Sequence, residues 1–464
     1  MPASPARAAA FQILLRVERD DSYASELLHS DALSKLSSRD HGLATELVMG
    51  VLRWRSLLDE ELGASSSQKL TRLDLEVLTS LRLGAYQLRF LSKIPAHAAI
   101  FESVELVKSA KKKSAAPFVN AVLRKIDTIS AHDHIGAIQR SADPPALARN
   151  AAHPEWMVAR WVKRYGLEAT QKLCIHNQSV PATSISIRRQ SADKQLAAED
   201  PALDGVTLSP GEIVSSARRV LAGDVTQTRS FRDGDIYIQD EASQLVALLA
   251  AFPESTRAKI LDCCAAPGSK TSLIAHRNPQ TRVYAMELHP HRARLLKRLN
   301  RESNVSIVVG DSSAMPFSRR FERILADVPC SGTGTLAHNP EIKWRLKQSD
   351  LADLQAKQVA ILKSAMNQLT KGGRILYSTC SLEEEENEAV VKAACGDSIN
   401  FALIDIKPEL DRLRGKGELA ATVADNLSSL VQGSYLRTIP GVHPCDGFFA
   451  ALIERKASAS ELRS

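Results

Sequence analysis

From about residue 233 onward, short apolar segments alternate with longer helical patterns, and this alternation restricts the fold more than any other feature of the sequence. Five segments have strand character: AKILD, RVYAMEL, VSIVVGD, RILADV and RILYST. Each is followed by a loop and then, in most cases, by a helix. Such alternation predicts a largely parallel sheet with helices on both faces. Because ligands of these sheets gather at the carboxyl ends of the strands, a functional site is expected there.

The first third of the chain has the apolar periodicity of helices. SPARAAAFQILLRVERD offers Ser4 as helix cap and Pro5 at the first helical position. A second amphipathic pattern follows at SSRDHGLATELVMGVLRWRSLLDEEL, and two more helices are predicted between 94 and 126, broken around Pro117. This last pair carries six cations: Lys108, Lys111, Lys112, Lys113, Arg124 and Lys125. They form either a surface for a polyanion or an ordinary solvated helix face.

Composition narrows the class of protein. A chain of 464 residues with 44% apolar and 24% charged residues is typical of two or three globular domains. The longest wholly apolar run, 245–252, is too short for a membrane span, and no export signal is predicted. Seven cysteines without a C-x-x-C pair indicate a reducing cytoplasm and no metal. The net charge of +7 favours a nucleic acid as partner.

The apolar periodicity stops at about 128–150, where Pro144 and Pro145 predict a linker. A helix at PEWMVARWVKRYG and short β-type stretches at TSISIRR and GVTLSPGEIV come next. We therefore predict three domains. They are an all-helical domain at 1–130, a small α+β, RRM-like module at 145–232 and a Rossmann-like α/β domain at 233–464.

The segment ILDCCAAPGSKTSLIA has the pattern of a cofactor loop. A strand ending at Asp262 leads into a turn of small residues and then into a helix from about Lys270. Small residues let the backbone approach a ligand closely, and the helix start offers free N–H groups. Neither the Walker nor the dinucleotide-binding glycine pattern is present, so another nucleoside cofactor is indicated.

Acidic residues end the next two strands. Glu287 lies where a carboxylate can accept hydrogen bonds from a ribose diol, and Asp311 ends the third strand in the same way. The alternative for each is a solvated residue or a helix cap. Acids and small loops at three successive strand ends favour a ligand site.

Two cysteines and an aspartate follow the fourth and fifth strands. Asp327 and Cys330 lie in ADVPCSGTG, and Cys380 lies in YSTCS. Adjacent strands would bring these side chains to one crevice, and a helix start after Cys380 would favour a reactive thiolate. Spacing does not say which thiol attacks. The remaining cysteines considered, which are Cys174, Cys263, Cys395 and Cys445, are expected to be small buried hydrophobes.

Five motifs now form a set: DCCAAPGSKT, ADVPCSGTG, NPEIKW, YSTCS and CDGFFAALI. In this order they resemble the motifs of the RNA 5-methylcytosine methyltransferases of the Sun/Fmu group. The N-terminal helices are similar to the RNA-binding helical domain of bacterial antitermination factors. This fusion points to the members of the group that act on small-subunit (16S) rRNA. The resemblance implies a Rossmann-like methyltransferase domain preceded by an all-α RNA-binding domain and the small module.

The resemblance also implies a cofactor and residue roles. S-adenosyl-L-methionine would be bound by the loop residues Cys264, Ala265, Ala266, Pro267, Gly268, Ser269 and Lys270. Glu287 would contact the ribose, Asp311 would lie near the adenine, and Asp327 would stand where cofactor and target base meet. Cys380 would be the nucleophile, and Cys330 would aid product release. Ser269, Glu287 and Val328 are mild departures from a usual glycine, aspartate and alanine.

Cytosine C5 is too weak a nucleophile to take a methyl group unaided, whereas thiolate addition at C6 makes it enamine-like. We therefore expect a cytoplasmic, monomeric enzyme that methylates C5 of a cytosine in 16S rRNA, with no membrane contact. The same chemistry on tRNA and a non-catalytic ribosome-assembly RNA-binding protein remain open as alternatives. Lys343, Trp344 and Arg345 are expected to add charge and stacking near the site, with an ordinary core tryptophan as the alternative.

Overall fold

The structure is a computed structural model. It describes residues 3–30, 33, 36–128, 133–187, 203, 205–251, 258–318, 320–396 and 398–456. The chain forms two compact units, one comprising Met1–Val180 with Leu336–Leu346 and the other comprising Pro181–Thr335 with Lys347–Ser464. In the described ranges, no helix combines the length and the apolar character needed to cross a membrane.

The first unit is helical, as predicted. Its helices are α1 (Pro5–Arg19), α2 (Ala24–Leu28), α3 (Ser38–Ser65), α4 (Leu75–Phe90), α5 (Ala96–Ser109), α6 (Ala116–Asp127), α7 (His134–Gln139), α8 (Pro144–Asn150), α9 (Glu155–Tyr165), α10 (Leu167–Gln178) and, by its place in the chain, α15 (Ile342–Arg345). Ser4 and Pro5 begin α1 as expected. The break near Pro117 is confirmed, since this proline lies in the first turn of α6, where its missing N–H is not needed.

The core of this unit lies between α1, α3 and α4. Phe11 of α1 is buried, and Leu47 and Leu58 of α3 and Leu81 of α4 are completely buried. Burying one such side chain contributes about 1.5–3 kcal/mol. The apolar residues that recur along these helices therefore form the core of the unit.

The predicted linker at 128–150 is wrong, because α7 and α8 lie within that range. The Asp133 side chain accepts a hydrogen bond from the Gly136 N–H, and Asp143 accepts one from the Ala146 N–H, so both helices have an N-terminal cap. Pro144 occupies the first turn of α8, where proline is favoured. The prolines thus start a helix here. The predicted boundaries at 130, 145–232 and 233 stay a prediction, although α8 to α10 belong to the first unit.

The second unit begins with a small antiparallel sheet. Its strands are β1 (Thr183–Ile187), β2 (Thr207–Pro210), β3 (Ala217–Ala222) and β4 (Ile236–Ile238), in the order β2-β3-β1-β4, with α11 (Arg229–Asp233) before β4. Ile185, Ile236 and Val225 form its buried core. The β-type stretches predicted at TSISIRR and GVTLSPGEIV are confirmed by β1 and β2.

The large sheet of this unit contains all five predicted strands. Its strands are β5 (Lys259–Asp262), β6 (Arg282–Glu287), β7 (Val305–Val309), β8 (Phe321–Asp327), β9 (Leu369–Thr379), β10 (Phe401–Ile404), β11 (Val431–Gln432), β12 (Tyr435–Arg437) and β13 (Phe449–Arg455). The order is β11-β12-β13-β9-β8-β5-β6-β7, and β10 pairs with β13. Strands β5 to β9 run parallel to one another. Strands β10 to β13 form an antiparallel extension, joined to β9 through β13, that the sequence did not predict.

Helices cover both faces of this sheet. They are α12 (Glu241–Ala250), α13 (Ser269–Arg277), α14 (Pro290–Leu299), α16 (Asp350–Asn367), α17 (Glu388–Cys395), α18 (Lys407–Gly415) and α19 (Ala421–Ala424). Neighbouring strand residues separate into two cores: Ile260 packs in the cluster with α12 and α13, and Leu261 packs in the cluster with α16 and α17. The parallel register brings the ends of β5, β6, β8 and β9 to one edge.

Candidate active site

The cofactor loop runs from β5 to α13 at the carboxyl edge of the sheet. Its backbone is tied to neighbouring strands, since the Cys263 N–H donates to the Leu325 carbonyl over 3.0 Å and the Ala265 N–H donates to the Met286 carbonyl over 2.9 Å. Gly268 precedes α13 with φ of 118°, and a Cβ there would overlap Leu296. The loop therefore requires glycine at this position and presents small side chains beside the first turn of α13.

Asp262 supports this loop and was not among the predicted site residues. Its Oδ2 accepts a hydrogen bond of 2.6 Å from the Thr271 hydroxyl, and Oδ1 accepts one of 3.4 Å from the Cys264 N–H. Burial raises the pKa of Asp262 to about 6, although the Thr271 hydrogen bond opposes that shift. The sequence signal for Asp262 was its position at the end of a predicted strand, as the first residue of the motif DCCAAPGSKT.

The two acids predicted to hold a nucleoside have different surroundings. Glu287 is buried at the end of β6, where its Oε1 accepts a hydrogen bond of 3.0 Å from the His289 N–H. Asp311 is exposed, and it accepts hydrogen bonds of 2.8 Å from both the N–H and the hydroxyl of Ser313. These bonds lower the pKa of Asp311. Asp311 therefore has the geometry of a cap, its alternative interpretation, and its place near an adenine stays a prediction.

Arg292 connects Glu287 to the cofactor loop. Its Nη1 lies 3.9 Å from Glu287 Oε1, and its Nη2 donates a hydrogen bond of 3.2 Å to the Ala266 carbonyl. The sequence did not point to this arginine. Arg292 belongs to helix α14, which carries several basic residues. Only its contacts in the folded protein distinguish Arg292 from the others.

Asp327 and Lys270 form an ion pair next to the cysteines. Lys270 Nζ lies 2.9 Å from Asp327 Oδ2, and the Ser378 hydroxyl donates a hydrogen bond of 2.8 Å to Oδ1. Burial acts to lower the pKa of Lys270, but Asp327, Cys380 and Asp262 outweigh burial, and the pKa is raised. The ammonium also lies 5.2 Å from the centre of the Phe448 ring. Lys270 therefore stays protonated, and its ammonium, paired with Asp327, also interacts electrostatically with Cys380.

The two predicted thiols are in contact. Cys330 Sγ lies 3.3 Å from Cys380 Sγ, a hydrogen-bonding distance for sulfur. The hydrogen bond with Cys380, followed by burial, raises the pKa of Cys330 well above its usual range. Cys330 therefore keeps its proton. The helix predicted after Cys380 is α17, which begins at Glu388, beyond a turn at Glu384–Glu386. Its effect on the Cys380 thiol stays a prediction.

A buried carboxylate joins the two cysteine loops, and the sequence did not predict it. Glu386 accepts a hydrogen bond of 2.8 Å from the Ser331 N–H, and its other oxygen accepts short bonds from the Ser331 and Ser381 hydroxyls. Gln358 Nε2 donates a further bond of 2.9 Å. Ser331 follows Cys330, and Ser381 follows Cys380. Glu386 therefore holds the Cys330 loop and the Cys380 loop together through hydrogen bonds to the residues that follow the two cysteines.

The four cysteines that were predicted to be small buried hydrophobes have that structural role. Cys174, Cys263 and Cys445 are buried, and Cys395 packs partly buried against a hydrophobic core. Burial raises the pKa of Cys174 to about 12 and raises the pKa of Cys395 as well. All seven cysteines are free thiols.

Lys343 and its neighbours are structural residues of the first unit. Lys343 is buried, and its Nζ donates hydrogen bonds of 2.7 Å and 3.0 Å to the carbonyls of Arg53 and Ala152. Trp344 Nε1 donates to the Leu52 carbonyl over 2.7 Å. Arg345 donates to backbone carbonyls of the α1 region. The expectation that this segment adds charge and stacking for RNA is wrong, because packing already uses those groups.

Two family models match the chain. The model for 16S rRNA methyltransferase RsmB/F matches residues 247–454, and the NusB family model matches residues 4–128. A protein of Bacillus subtilis (strain 168), named "Probable ribosomal RNA small subunit methyltransferase B", is 32% identical over 98% of this chain and 100% of its own length. This chain belongs to the RsmB/F methyltransferase family. The predicted resemblance and the fusion to an antitermination-factor-like domain are confirmed.

Solved structures have the same fold as this RsmB/F family member. The crystal structure of PH0851 has a TM-score of 0.79 at 21% identity and covers 98% of this chain and 100% of that one. NSun6 from Pyrococcus horikoshii, solved with SFG, has a TM-score of 0.53 at 17% identity and covers 64% of this chain and 97% of that one. The predicted fold class, a methyltransferase domain preceded by helices, is confirmed.

The RsmB/F match contains the whole candidate site. Its limits at 247 and 454 include the cofactor loop, the ion pair, both thiols and Glu386. The NusB match corresponds to helices α1 to α6. The geometry described above therefore lies in the part of the chain that carries the methyltransferase family signal.

Proposed function

We propose that this family member transfers a methyl group from S-adenosyl-L-methionine to C5 of a cytosine in small-subunit (16S) rRNA. The observation that carries the proposal is the contact of 3.3 Å between the sulfurs of Cys330 and Cys380, beside the Lys270–Asp327 ion pair. A pair of thiols next to a nucleoside-type loop suits covalent catalysis on a base. The name of the Bacillus subtilis relative supports ribosomal RNA as the substrate.

The residues at the edge of the sheet suit a nucleoside cofactor. The proposed contacts come from the loop residues 264–270 and from Glu287, Asp311 and Asp327. The small side chains and the first turn of α13 permit a close approach, and a buried carboxylate such as Glu287 can accept hydrogen bonds from a diol. When bound, this cofactor supplies an electrophilic methyl group on a sulfonium.

The electrostatics favour Cys380 as the nucleophile. The hydrogen bond with Cys380, followed by burial, raises the pKa of Cys330, so Cys330 is the less suitable of the two thiols to act as a thiolate. The Lys270 ammonium further stabilises negative charge on Cys380, since Cys380 contributes to the raised pKa of this lysine. This assignment agrees with the roles implied by the family resemblance.

The proposed reaction uses these groups in sequence. The Cys380 thiolate adds to C6 of cytosine, and the Sγ–C6 bond makes C5 nucleophilic enough to take the methyl group. Asp327 stands where cofactor and base meet. The C5 proton would then pass to a solvent base, and its bonding electrons would restore the C5–C6 double bond. The Sγ–C6 bond would break at the same time, and the electron pair of that bond would return to Cys380. Cys330, in contact with that sulfur, assists the release.

RNA must present the cytosine unstacked, because its C6 has to reach a thiol within the crevice. The NusB-like helices are proposed to hold the surrounding RNA through phosphates. Some of their predicted cations are already neutralised, since Lys108 pairs with Glu105 and Lys112 pairs with Asp74. Phosphate contacts from this unit would therefore come from its remaining cations.

Bisulfite sequencing of rRNA and tRNA from cells with and without the gene tests the proposal. We expect one 16S cytosine to lose protection when the gene is deleted and to regain it on complementation. Loss of protection in tRNA would assign the same chemistry to the other substrate. Unchanged protection in both RNAs would overturn the enzymatic role and leave the RNA-binding assembly protein as the function.

A further inference from the structure

Helix α14 presents a row of cations to solvent. From Leu288 to Arg301 the chain contains seven basic residues and no acidic one: His289, His291, Arg292, Arg294, Lys297, Arg298 and Arg301. All seven are exposed. Arg294, Lys297 and Arg298 are related by helical spacings of three and four, so they share a face, and we call them with Arg301 the α14 stripe.

The orientation of the stripe is set by the opposite side of the helix. Leu296 is buried in a small core with Ala265 and Ala285, and Ala293 on the same side of the helix is buried as well. Leu296 also fills the space where a side chain at Gly268 would lie. These contacts fix the rotation of α14 about its own axis. Its charged face is therefore held toward solvent.

The charges of the stripe are not balanced by carboxylates. In the part of the chain that the structure describes, no salt bridge involves Arg294, Lys297, Arg298 or Arg301. Two other exposed helices of this chain pair a cation locally, and in α1 the pair is Arg16 with Asp20. Lys172 and Glu168 of α10 form a similar pair. Helix α14 differs from these two helices in having several exposed cations without such a pair.

The local physics of the helix does not account for this arrangement. Cations near a helix C-terminus are favourable, which covers Lys297 and Arg298 in the last turn. The dipole gives no such benefit to Arg294 in the first half of the helix. Like charges three or four residues apart repel, so Arg294 disfavours the helix together with both later cations. An anionic partner bound to the cluster would offset the repulsion between these cations.

The cationic surface extends toward the small sheet. Gly234, which ends α11, lies against the Arg301 side chain, since a Cβ there would be 3.2 Å from Arg301 Cγ. Tyr237 of β4 donates a hydrogen bond of 3.1 Å to the Leu299 carbonyl. Arg232 is exposed on α11. The end of α14 is therefore fixed against a second element that also carries a cation.

We propose that the α14 stripe binds the phosphate backbone of the RNA substrate, as a contact surface separate from the NusB-like helices. Cations on successive turns lie about 5.4 Å apart along the helix axis, which suits a chain of regularly spaced phosphates. Arginine and lysine without base-reading partners bind such a chain independently of sequence. The inference rests on the proposed function only in taking RNA as the substrate.

The test uses the full chain and a double variant, Lys297→Gln/Arg298→Gln. Its control is Lys407→Gln/Lys416→Gln, which removes the same charge from exposed positions around α18. Binding of a small-subunit rRNA fragment is measured by fluorescence anisotropy at several salt concentrations. We expect the α14 variant to bind several-fold more weakly, with a salt slope smaller by about 1.4, or about 0.7 for each lost phosphate contact. The control should keep the wild-type affinity and slope.

Equal affinity and slope in the two variants would overturn the proposal. Loss of affinity for polyglutamate without loss for RNA would also overturn it, because the partner would then be an acidic protein. Thermal midpoints and cofactor affinity are measured in parallel, and both should match wild type. Methylation of the same RNA by the wild-type protein separates the two proposals. If RNA binding depends on the α14 stripe but the RNA is not methylated, only the proposed function is rejected. If the RNA is methylated and the α14 variant binds it like wild type, only the proposed surface is rejected.

Discussion

The backbone N–H of Gly334 donates a hydrogen bond of 2.9 Å to the carbonyl oxygen of Cys380. The Gly334 carbonyl in turn accepts one of 2.8 Å from the Gly447 N–H. Three loops thus cross at Gly334 through their backbones. A Cβ there would overlap the Gly447 carbonyl and lie 2.8 Å from the Cys380 carbonyl. Glycine at this position determines how closely the Cys380 loop approaches the Cys330 loop.

We expect Gly334→Ala to displace the Cys380 loop and lower kcat by at least about tenfold, because small displacements of reacting groups are costly. Affinity for the cofactor should change little, since the cofactor loop is a different segment. Single-turnover methylation and calorimetric cofactor titration provide the two measurements. Gly415→Ala is the control, because a Cβ at Gly415 meets nothing within 4 Å. Wild-type kcat in Gly334→Ala would contradict the role given to this crossing.

Cys380→Ala should abolish methylation, whereas Cys330→Ala should accumulate a covalent protein–RNA adduct, because release then lacks its neighbouring thiol. Denaturing gel electrophoresis with labelled RNA detects the adduct. Cys395→Ser serves as the control, since Cys395 lies outside the thiol pair and should leave turnover intact. Appearance of the adduct in Cys380→Ala would exchange the two roles.

Glu386→Gln should destabilise the second unit by about 2–4 kcal/mol, because an amide replaces a carboxylate oxygen that accepts hydrogen bonds in a buried position. The cysteine loops should loosen as well, so kcat should fall while KM for RNA stays near wild type. Denaturant unfolding and steady-state kinetics measure both effects. Glu384→Gln, at an exposed position of the same turn, should be neutral. A stable, fully active Glu386→Gln would show that the carboxylate does not position the loops.

Asp446→Asn should stabilise the protein in a pH-dependent way. Burial raises the pKa of Asp446 to about 7 in the folded state, above the ordinary value of 3.8. The folded state therefore binds this proton more tightly, and the resulting stability is present at low pH and is lost as pH rises through about 7. The variant has no such loss, so its gain should grow from pH 5 to pH 8, up to about 4 kcal/mol. Calorimetric midpoints across this range test it, and a gain independent of pH would contradict the assignment.

Local patterns were sufficient for much of the fold and for part of the site. Strand periodicity predicted β5 to β9, because each strand is a continuous apolar segment between turn residues. Parallel neighbours then bring strand ends together, which is why Asp327, Cys330 and Cys380 were selected correctly as neighbours. The antiparallel strands β10 to β13 were missed, since several are short and their pairing depends on distant partners.

The sequence by itself determined helices α1, α3, α5 and α6, strands β5 to β9 and the small-residue loop after β5, because each is specified by residues close together in the chain. Only the tertiary structure decided that Glu386, among the glutamates of EEEENE, binds the cysteine loops. It also decided that Lys343 donates its hydrogen bonds within the first unit. The physical reason is that a charged side chain can be buried only where distant groups supply its hydrogen bonds. Those groups are brought together by folding and leave no local pattern.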